Sequence, residues 1–581
     1  MVKKTLWLLV SCLMVLSLVI ASCGGGEEEE PGEEGYASRT EPKYGGTFNR
    51  IGLGDYRTID YAAGRDMFTP MLMGEELLMG DWARGPAGTE ENNWDGGFAG
   101  FISMLTGKLA ESWSMPDNET LLYNIREGVH WWDRAPANGR ELVADDIVWN
   151  LERIFTSNVT YLYSSYTTVD KQPRSFKAID DYTVEVKVKP EWQGLMATVV
   201  GDFAWHICPD AIEGNGGEPL QTDDYLKFIG TGPYMIENIV TSSYMEFKKN
   251  PNYWQTDPIN KGNELPYADG IKEAIIADKS TQLASFRTGK ADMMSWGIAW
   301  EDVEQLTGQN SELLVYSHPA ASISFVWPRL DKDLPWNDIN VRYAMNLAVN
   351  QQEIADEYYG GYADLLSWPY PNLKVFSPVY TPMEEQSQIV KDLFGYDPER
   401  AKELLAEAGY PDGFKCKVDC SSAQTDYLSI YKEYLAAVGI ELELANLEQS
   451  VYMSVWIGQT YEQMIYANDY IGNAYRMMCM TEASIWNYSK FKHERTENAV
   501  QIISENLGKD DSKVAKAMKD IGPWELEQAV PIYMPGPHAF VIWWPWLQNF
   551  YGAVEGGGYS NLDEYITYLW IDTKMKEGMG Y

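Results

Sequence analysis

The chain has 581 residues, more than one hydrophobic core usually supports, so two or three domains are expected. Its formal net charge of −39 repels nucleic acid and anionic lipid headgroups, which argues against a nucleic-acid partner and for a soluble body. Aromatic residues make up 13% of the chain, with 22 Trp and 38 Tyr, a surplus that serves ligand faces as well as cores.

At the N-terminus Met1-Val2-Lys3-Lys4 precede an apolar run from Leu6 to Ala21, which ends in Ile20-Ala21-Ser22-Cys23. A charged start, an apolar middle and small residues before a cut describe an export signal over residues 1–22. The segment resembles that of bacterial lipoproteins, and the resemblance implies that Cys23 receives a diacylglyceryl group; the alternative is an ordinary signal with a coincidental cysteine. Residues 23–43 hold Gly24-Gly25-Gly26, Glu27 to Glu30 and Glu33-Glu34, with nothing apolar to bury, and read as a flexible acidic tether. No later stretch is apolar for long enough to span a bilayer. The expected location is extracytoplasmic, on the cell membrane through a lipid.

Leu109 to Trp131 alternates as strand, turn at Pro116-Asp117, and strand. A helix is expected from Ala144 to Phe155, with Ile147, Leu151 and Ile154 on one face and Asp145-Asp146 in its first turn; Val143 occupies the cap position, so capping is expected to pass to an aspartate. Gly230-Thr231-Gly232-Pro233-Tyr234 reads as a tight turn that needs unusual backbone angles, followed by a strand pair to Lys248 and a second turn at Asn250-Pro251-Asn252-Tyr253-Trp254. A dinucleotide fingerprint is excluded there, because Met235 replaces the third glycine and a strand follows. Helices are expected from Asn340 to Val349, from Gln351 to Tyr358, and from Asp397-Pro398-Glu399 to Ala408, where Gly409 ends the last.

Beyond Cys12 and Cys23 the cysteines are Cys208, Cys416, Cys420 and Cys479, too few for a disulfide scaffold. Cys416 and Cys420 lie about 13 Å apart along an alternating strand and read as buried thiols. The histidines His130, His206, His318, His493 and His538 form no zinc spacing, and neither a Gly-x-Ser-x-Gly elbow nor a phosphate loop occurs. No metal, cofactor or catalytic activity is expected.

The motifs at 109–131, 230–234 and 250–254, with the 338–345 and 397–414 segments, resemble in this order the large solute-binding proteins of ABC importers, the group of oligopeptide, dipeptide and nickel binders. The resemblance runs from Tyr44 to the end. It implies a two-lobed α/β periplasmic-binding-protein (Venus flytrap) fold with an additional inserted domain, three domains in all. Lobe I would comprise residues 44–75, 176–276 and 528–581, the inserted domain 76–175, and lobe III 277–527. It also implies a monomer that captures short peptides between its lobes and delivers them to a permease and its ATPase. An oligosaccharide cargo is the alternative, and a surface scaffold without cargo a second. By the same resemblance Asp469-Tyr470 aligns with the pair that meets a peptide's α-ammonium, although Ile471-Gly472-Asn473-Ala474 departs from the pattern that follows it; Asp469 either holds an amine or caps a loop. The candidate ligand faces are Trp296, Trp300, Trp327, Trp368, Trp456, Tyr466, Trp486 and Tyr488, some of which are expected to line the cleft while others pack. Trp543-Trp544-Pro545-Trp546 reads as structural.

Overall fold

The computed structural model describes residues 41–52, 54, 58–63, 68–94, 101–157, 159–160, 173–295, 297–320, 322–470, 486–552 and 563–581. The export signal, Cys23 and the tether up to residue 40, together with Trp296, Cys479 and the segment 471–474, lie outside them.

The alternating run after Gly232 folds as the hairpin Tyr234–Val240 and Tyr244–Lys249, antiparallel, with Gly270–Ile275 added beside it and Thr47–Gly52 parallel to that. The glycines before it are explained by crowding. Neither Gly230 nor Gly232 has a positive φ, which corrects the expectation of unusual backbone angles. A Cβ at Gly230 would lie 1.9 Å from the carbonyl oxygen of Met73, and one at Gly232 would lie 2.7 Å from the same residue's carbonyl carbon. The Gly232 amide donates to that oxygen at 2.9 Å, so two backbones touch where no side chain fits. Asn250 then joins the two turns: its amide donates to the Pro233 carbonyl at 2.8 Å and its side chain to the Gly232 carbonyl at 3.1 Å.

The strand–turn–strand of the 109–131 stretch becomes Ala110–Ser114 and Thr120–Ile125, continued antiparallel by Thr183–Lys187 and Ser175–Asp180. These last strands continue past residue 175, where the sequence reading ends the inserted domain. The helix on this sheet runs Ala144–Thr156. Val143 offers no cap, and Asp146 accepts the Val143 amide at 3.1 Å, as expected of an aspartate near a helix start. The same carboxylate takes Trp131 Nε1 at 3.1 Å and both Nη atoms of Arg140 at 2.7 and 2.8 Å, which fastens the helix to the strand ends.

Two further sheets lie later in the chain. In one, Met293–Met294 and Leu314–Pro319 pair antiparallel with the return strand Gly536–Trp543, and Ala363–Asp364 adds to its first residues. The other has the order Ser322–Pro328, Met464–Tyr470, Phe414–Ser421, Ile440–Leu447, the last three mutually parallel. The chain passes from the first of these sheets to the second between Pro319 and Ser322. It returns between Ile532, bridged to Val326, and Gly536.

The expected helices form at Ile339–Leu347, capped by Asp338, and Pro398–Glu407, capped by Asp397 and followed by Gly409 at φ +91°. Gln351 opens an α-turn that widens into a π-type turn over Ile354–Tyr358. Cys416 and Cys420 are buried free thiols on their strand. In the 543–546 cluster the Trp544 and Trp546 rings stack at 4.6 Å; Trp546 Nε1 donates to the buried Asp292 carboxylate at 2.7 Å, and Lys576 reaches the same oxygen at 2.8 Å. The cluster is core.

Candidate ligand-binding site

Three parallel strands finish at Ser421, Leu447 and Tyr470: Ser421 stands opposite Leu447, and the third strand, whose Ile465 is level with Asp419, runs on beyond the other two. In open α/β sheets a ligand crevice forms beyond the carboxyl ends of such strands. Here that edge adjoins the passage between sheets, because Tyr470 stands opposite Ser322 and Asp469 opposite Ile323 in the ladder. Asp469 and Tyr470 therefore occupy the final positions of a strand at the carboxyl edge, next to the first crossing; their side chains lie outside the description.

Tyrosines gather at the same edge from three elements. Tyr427 comes from the first turn of the helix Thr425–Ala437, which follows the strand ending at Ser421. Tyr358 and Tyr359 end the π-type turn, and Tyr466 lies on the strand of Asp469. Tyr427 has ring centroids at 5.0 Å from Tyr358, 5.9 Å from Tyr359, 5.4 Å from Tyr431 and 6.3 Å from Tyr466. Burial drives the Tyr427 and Tyr431 hydroxyls well above the ordinary phenol range and pushes Tyr359 up to about 12, so all three stay neutral and act as apolar faces with one polar tip. Tyr358 is different: it remains 44% exposed.

The aromatic residues singled out from sequence divide into groups. Trp327, Trp368 and Tyr488 are buried in the core behind the sheet: Trp327 Nε1 donates to the Ala467 carbonyl at 3.1 Å, Trp368 lies 6.3 Å from Phe325, and the Tyr488 hydroxyl donates to the Asn468 carbonyl at 3.1 Å. Tyr466 joins the tyrosine group. Trp456 is half-buried and stacks on Tyr452 at 6.0 Å, while Tyr452 donates to the Tyr466 carbonyl at 2.5 Å. Trp486 is half-buried, edge-on to Tyr488 at 6.4 Å. Trp300 opens the helix Trp300–Gln309 and lies over Gly360, where a Cβ would meet its ring at 2.7 Å. Trp296 is outside the description. The structure thus brings Tyr466 and Trp456 near Asp469's strand and sets Trp300 against the turn that carries Tyr358.

Sequence reasoning missed Tyr358, Tyr359 and Tyr427. The available signals were Tyr358-Tyr359 before a glycine pair, and a tyrosine in the helix that leaves a strand's carboxyl end. It also missed His538 at the second crossing, whose ring nitrogens lie 3.2 Å from Ser317 Oγ and 3.2 Å from Asp364 Oδ2, tying three strands of one sheet together.

Among the described residues no three His, Cys, Asp or Glu side chains are placed to hold a metal ion, and no helix is long and apolar enough to cross a membrane. A separate concavity of about 700 Å³ is lined by Trp82, Glu111, Arg126, Trp254 and Tyr568, beside the 250–254 turn. Trp82 stacks on Tyr568 at 4.7 Å and the Arg126 guanidinium on Trp254 at 4.4 Å.

The model of bacterial extracellular solute-binding proteins, family 5, middle region, matches residues 105–477. The glutathione-binding protein of Salmonella typhi is 27% identical over 345 residues, covering 58% of this chain and 60% of that relative; the matched stretch is thus less than two thirds of the relative's length. Among solved structures, the periplasmic binding protein DppA of Helicobacter pylori, in complex with the peptide STSA, superposes with a TM-score of 0.68 at 20% identity over 91% of this chain and 99% of its own. The oligopeptide-binding protein AppA of Bacillus subtilis, in complex with a nonapeptide, gives 0.64 at 18% identity, covering 92% of this chain and all of its own. At these identities the likeness establishes the fold, the two-lobed α/β fold of periplasmic binding proteins.

Proposed function

We propose, since this chain belongs to family 5 of the bacterial extracellular solute-binding proteins, that it is the receptor of an ABC importer and captures short peptides between its lobes for a membrane permease. The observation that carries this reading is the site itself: the carboxyl edge of three parallel strands, bearing Asp469 and Tyr470, lies at the passage of the chain between two sheets. A cleft there closes over an extended ligand, whose backbone groups pair with strand edges and whose ammonium takes a carboxylate. The work of transport falls to a separate ATPase, and the receptor turns nothing over.

In this reading the hinge comprises the crossings 319–322 and 532–536. The strands Met293–Met294 and Leu314–Pro319 then move with the return strand. The lobe opposite runs from Ser322 to about Ile532, and the inserted domain extends to Lys187 with its sheet. Cys23 carries the lipid, and the receptor acts as a monomer on the outer face of the membrane.

An oligosaccharide is the second cargo to test, favoured by the tyrosine group, whose faces suit sugar rings. Native mass spectrometry of freshly purified protein decides between them. A retained mass that fragments into amino-acid residues supports the peptide reading, a hexose series supports the alternative, and binding to neither class on titration favours a scaffold.

A further inference from the structure

We propose that the concavity beside the 250–254 turn is a second binding site, apart from the proposed cleft, and that it takes a neutral saccharide through the Arg126 guanidinium, the carboxylates of Glu111 and Glu127, and the Trp82 indole N–H. Its occupancy is independent of what the cleft carries.

At about 700 Å³ the space has the size of a small-molecule site. Its aromatic wall is held in place: Trp82 and Tyr568 lie parallel, 4.7 Å apart at 2°, and are 3% and 1% exposed. The Tyr568 hydroxyl accepts from Gln255 Nε2 at 2.8 Å, and Trp254 Nε1 donates to Glu75 at 3.1 Å. The Trp82 indole N–H, by contrast, is buried with no acceptor. A buried donor left unpaired is costly, and a ligand oxygen at this wall satisfies it.

Arg126 supplies a second set of unpaired donors. It follows the strand Thr120–Ile125; its amide donates to the Leu109 carbonyl at 2.8 Å and its Nε to the Lys108 carbonyl at 3.1 Å. The guanidinium lies over the Trp254 ring at 4.4 Å, and among the described residues its two Nη atoms have no acceptor and it makes no ion pair. Acids flank it on both sides. Glu127 is the next residue, and Glu111 follows Ala110, the partner of Ile125 in the ladder. Both are exposed, both line the concavity, and neither is in an ion pair among the described residues. With Asp81, three carboxylates and one guanidinium share the lining.

This mixture of charges disfavours simple ions. A carboxylate placed on Arg126 meets Glu111 and Glu127, and a cation placed on those acids meets Arg126. A hydroxyl group suits both at once, because its oxygen accepts from the guanidinium while its hydrogen goes to a carboxylate. A saccharide presents several such hydroxyls on a stiff ring, which limits the ordering cost of binding, and its oxygens also accept from an indole N–H.

The test is calorimetric titration of the full chain with maltotriose, cellotriose and triacetylchitotriose, and with L-alanine as a zwitterion for comparison. At least one trisaccharide is expected to bind. Arg126→Lys, which keeps the charge and loses the planar fork, should weaken it about tenfold, the scale of one lost hydrogen bond to a charged group. Glu111→Gln with Glu127→Gln alters only exposed side chains, so the fold is kept, and should weaken the same sugar to a similar extent. Asp469→Asn should leave that affinity unchanged, which separates this site from an oligosaccharide held in the cleft. Failure of all three trisaccharides to bind overturns the site, as does an affinity that survives the paired substitution or falls in Asp469→Asn. Binding of L-alanine alone, lost in Arg126→Lys, assigns a zwitterion to this space and overturns the saccharide.

Discussion

Asp469 is the residue on which the cargo question turns. It stands near the end of the strand Met464–Tyr470, opposite Ile323 and one residue from the crossing, and in the proposed reading that is where a ligand between the lobes meets the carboxyl edge. If the cargo has a free amino terminus, closing the cleft removes the ammonium from water, and only a carboxylate partner offsets that cost. Asp469→Asn is then expected to weaken the native peptide by about 3 to 5 kcal/mol, the scale for leaving one member of a buried ion pair unpaired. An oligosaccharide loses one hydrogen bond, about 0.5 to 1.5 kcal/mol. Calorimetry on wild type and variant with the retained ligand distinguishes the two, and a small loss with a peptide assigns the ammonium elsewhere. His206 gives a test of a different kind. It is buried with neither ring nitrogen hydrogen-bonded, and burial lowers its pKa from 6.5 to about 3. A depressed folded value means that protons prefer the unfolded chain. The stability this residue preserves is complete above pH 6.5 and is lost as pH falls toward about 3, at about 1.4 kcal/mol per unit. His206→Leu removes that proton linkage without stranding a partner. Its melting temperature should therefore fall less than the wild type's between pH 7 and pH 4; parallel curves would show that the ring reaches solvent on acidification.

At the scale of elements, the 230–234 turn and the 250–254 turn are one device: Asn250 bonds to both, and Trp254 Nε1 and the Tyr253 hydroxyl close on the buried Glu75, at 3.1 and 3.0 Å. Gly230→Ala forces a methyl group against the Met73 carbonyl oxygen, a fixed backbone atom, and is expected to cost about 1 to 3 kcal/mol. Urea unfolding checks it; an unchanged midpoint would mean that the 72–73 segment gives way freely. These turns were legible in the sequence because local chemistry specifies them, as it does the caps Asp338 and Asp397 and the alternation of Phe414–Ser421. The cause of the glycines was not legible, since the backbone they touch lies more than 150 residues earlier in the chain. The tyrosine group was hidden for the same reason. Tyr358, Tyr427 and Tyr466 belong to three elements, and only the parallel order of the 414–470 strands brings their rings together. Aromatic abundance pointed to ligand faces, yet Trp327, Trp368 and Tyr488 show that an indole or phenol with a backbone partner satisfies its polar atom inside a core equally well.

For the molecule as a whole, the proposed hinge lies where the chain passes between two sheets, from Pro319 to Ser322 and from Ile532 to Gly536. Both passages are short and carry proline, at 319 and 535, so rotation falls on the few residues beside them. A cargo that touches both sheets binds the closed arrangement better than the open one, and that difference in affinity is the only free energy available to shift the population. Small-angle scattering of cargo-free protein, compared with the same protein saturated with its retained cargo, is expected to show a smaller radius of gyration on binding. An unchanged radius at saturation would count against closure about these two passages.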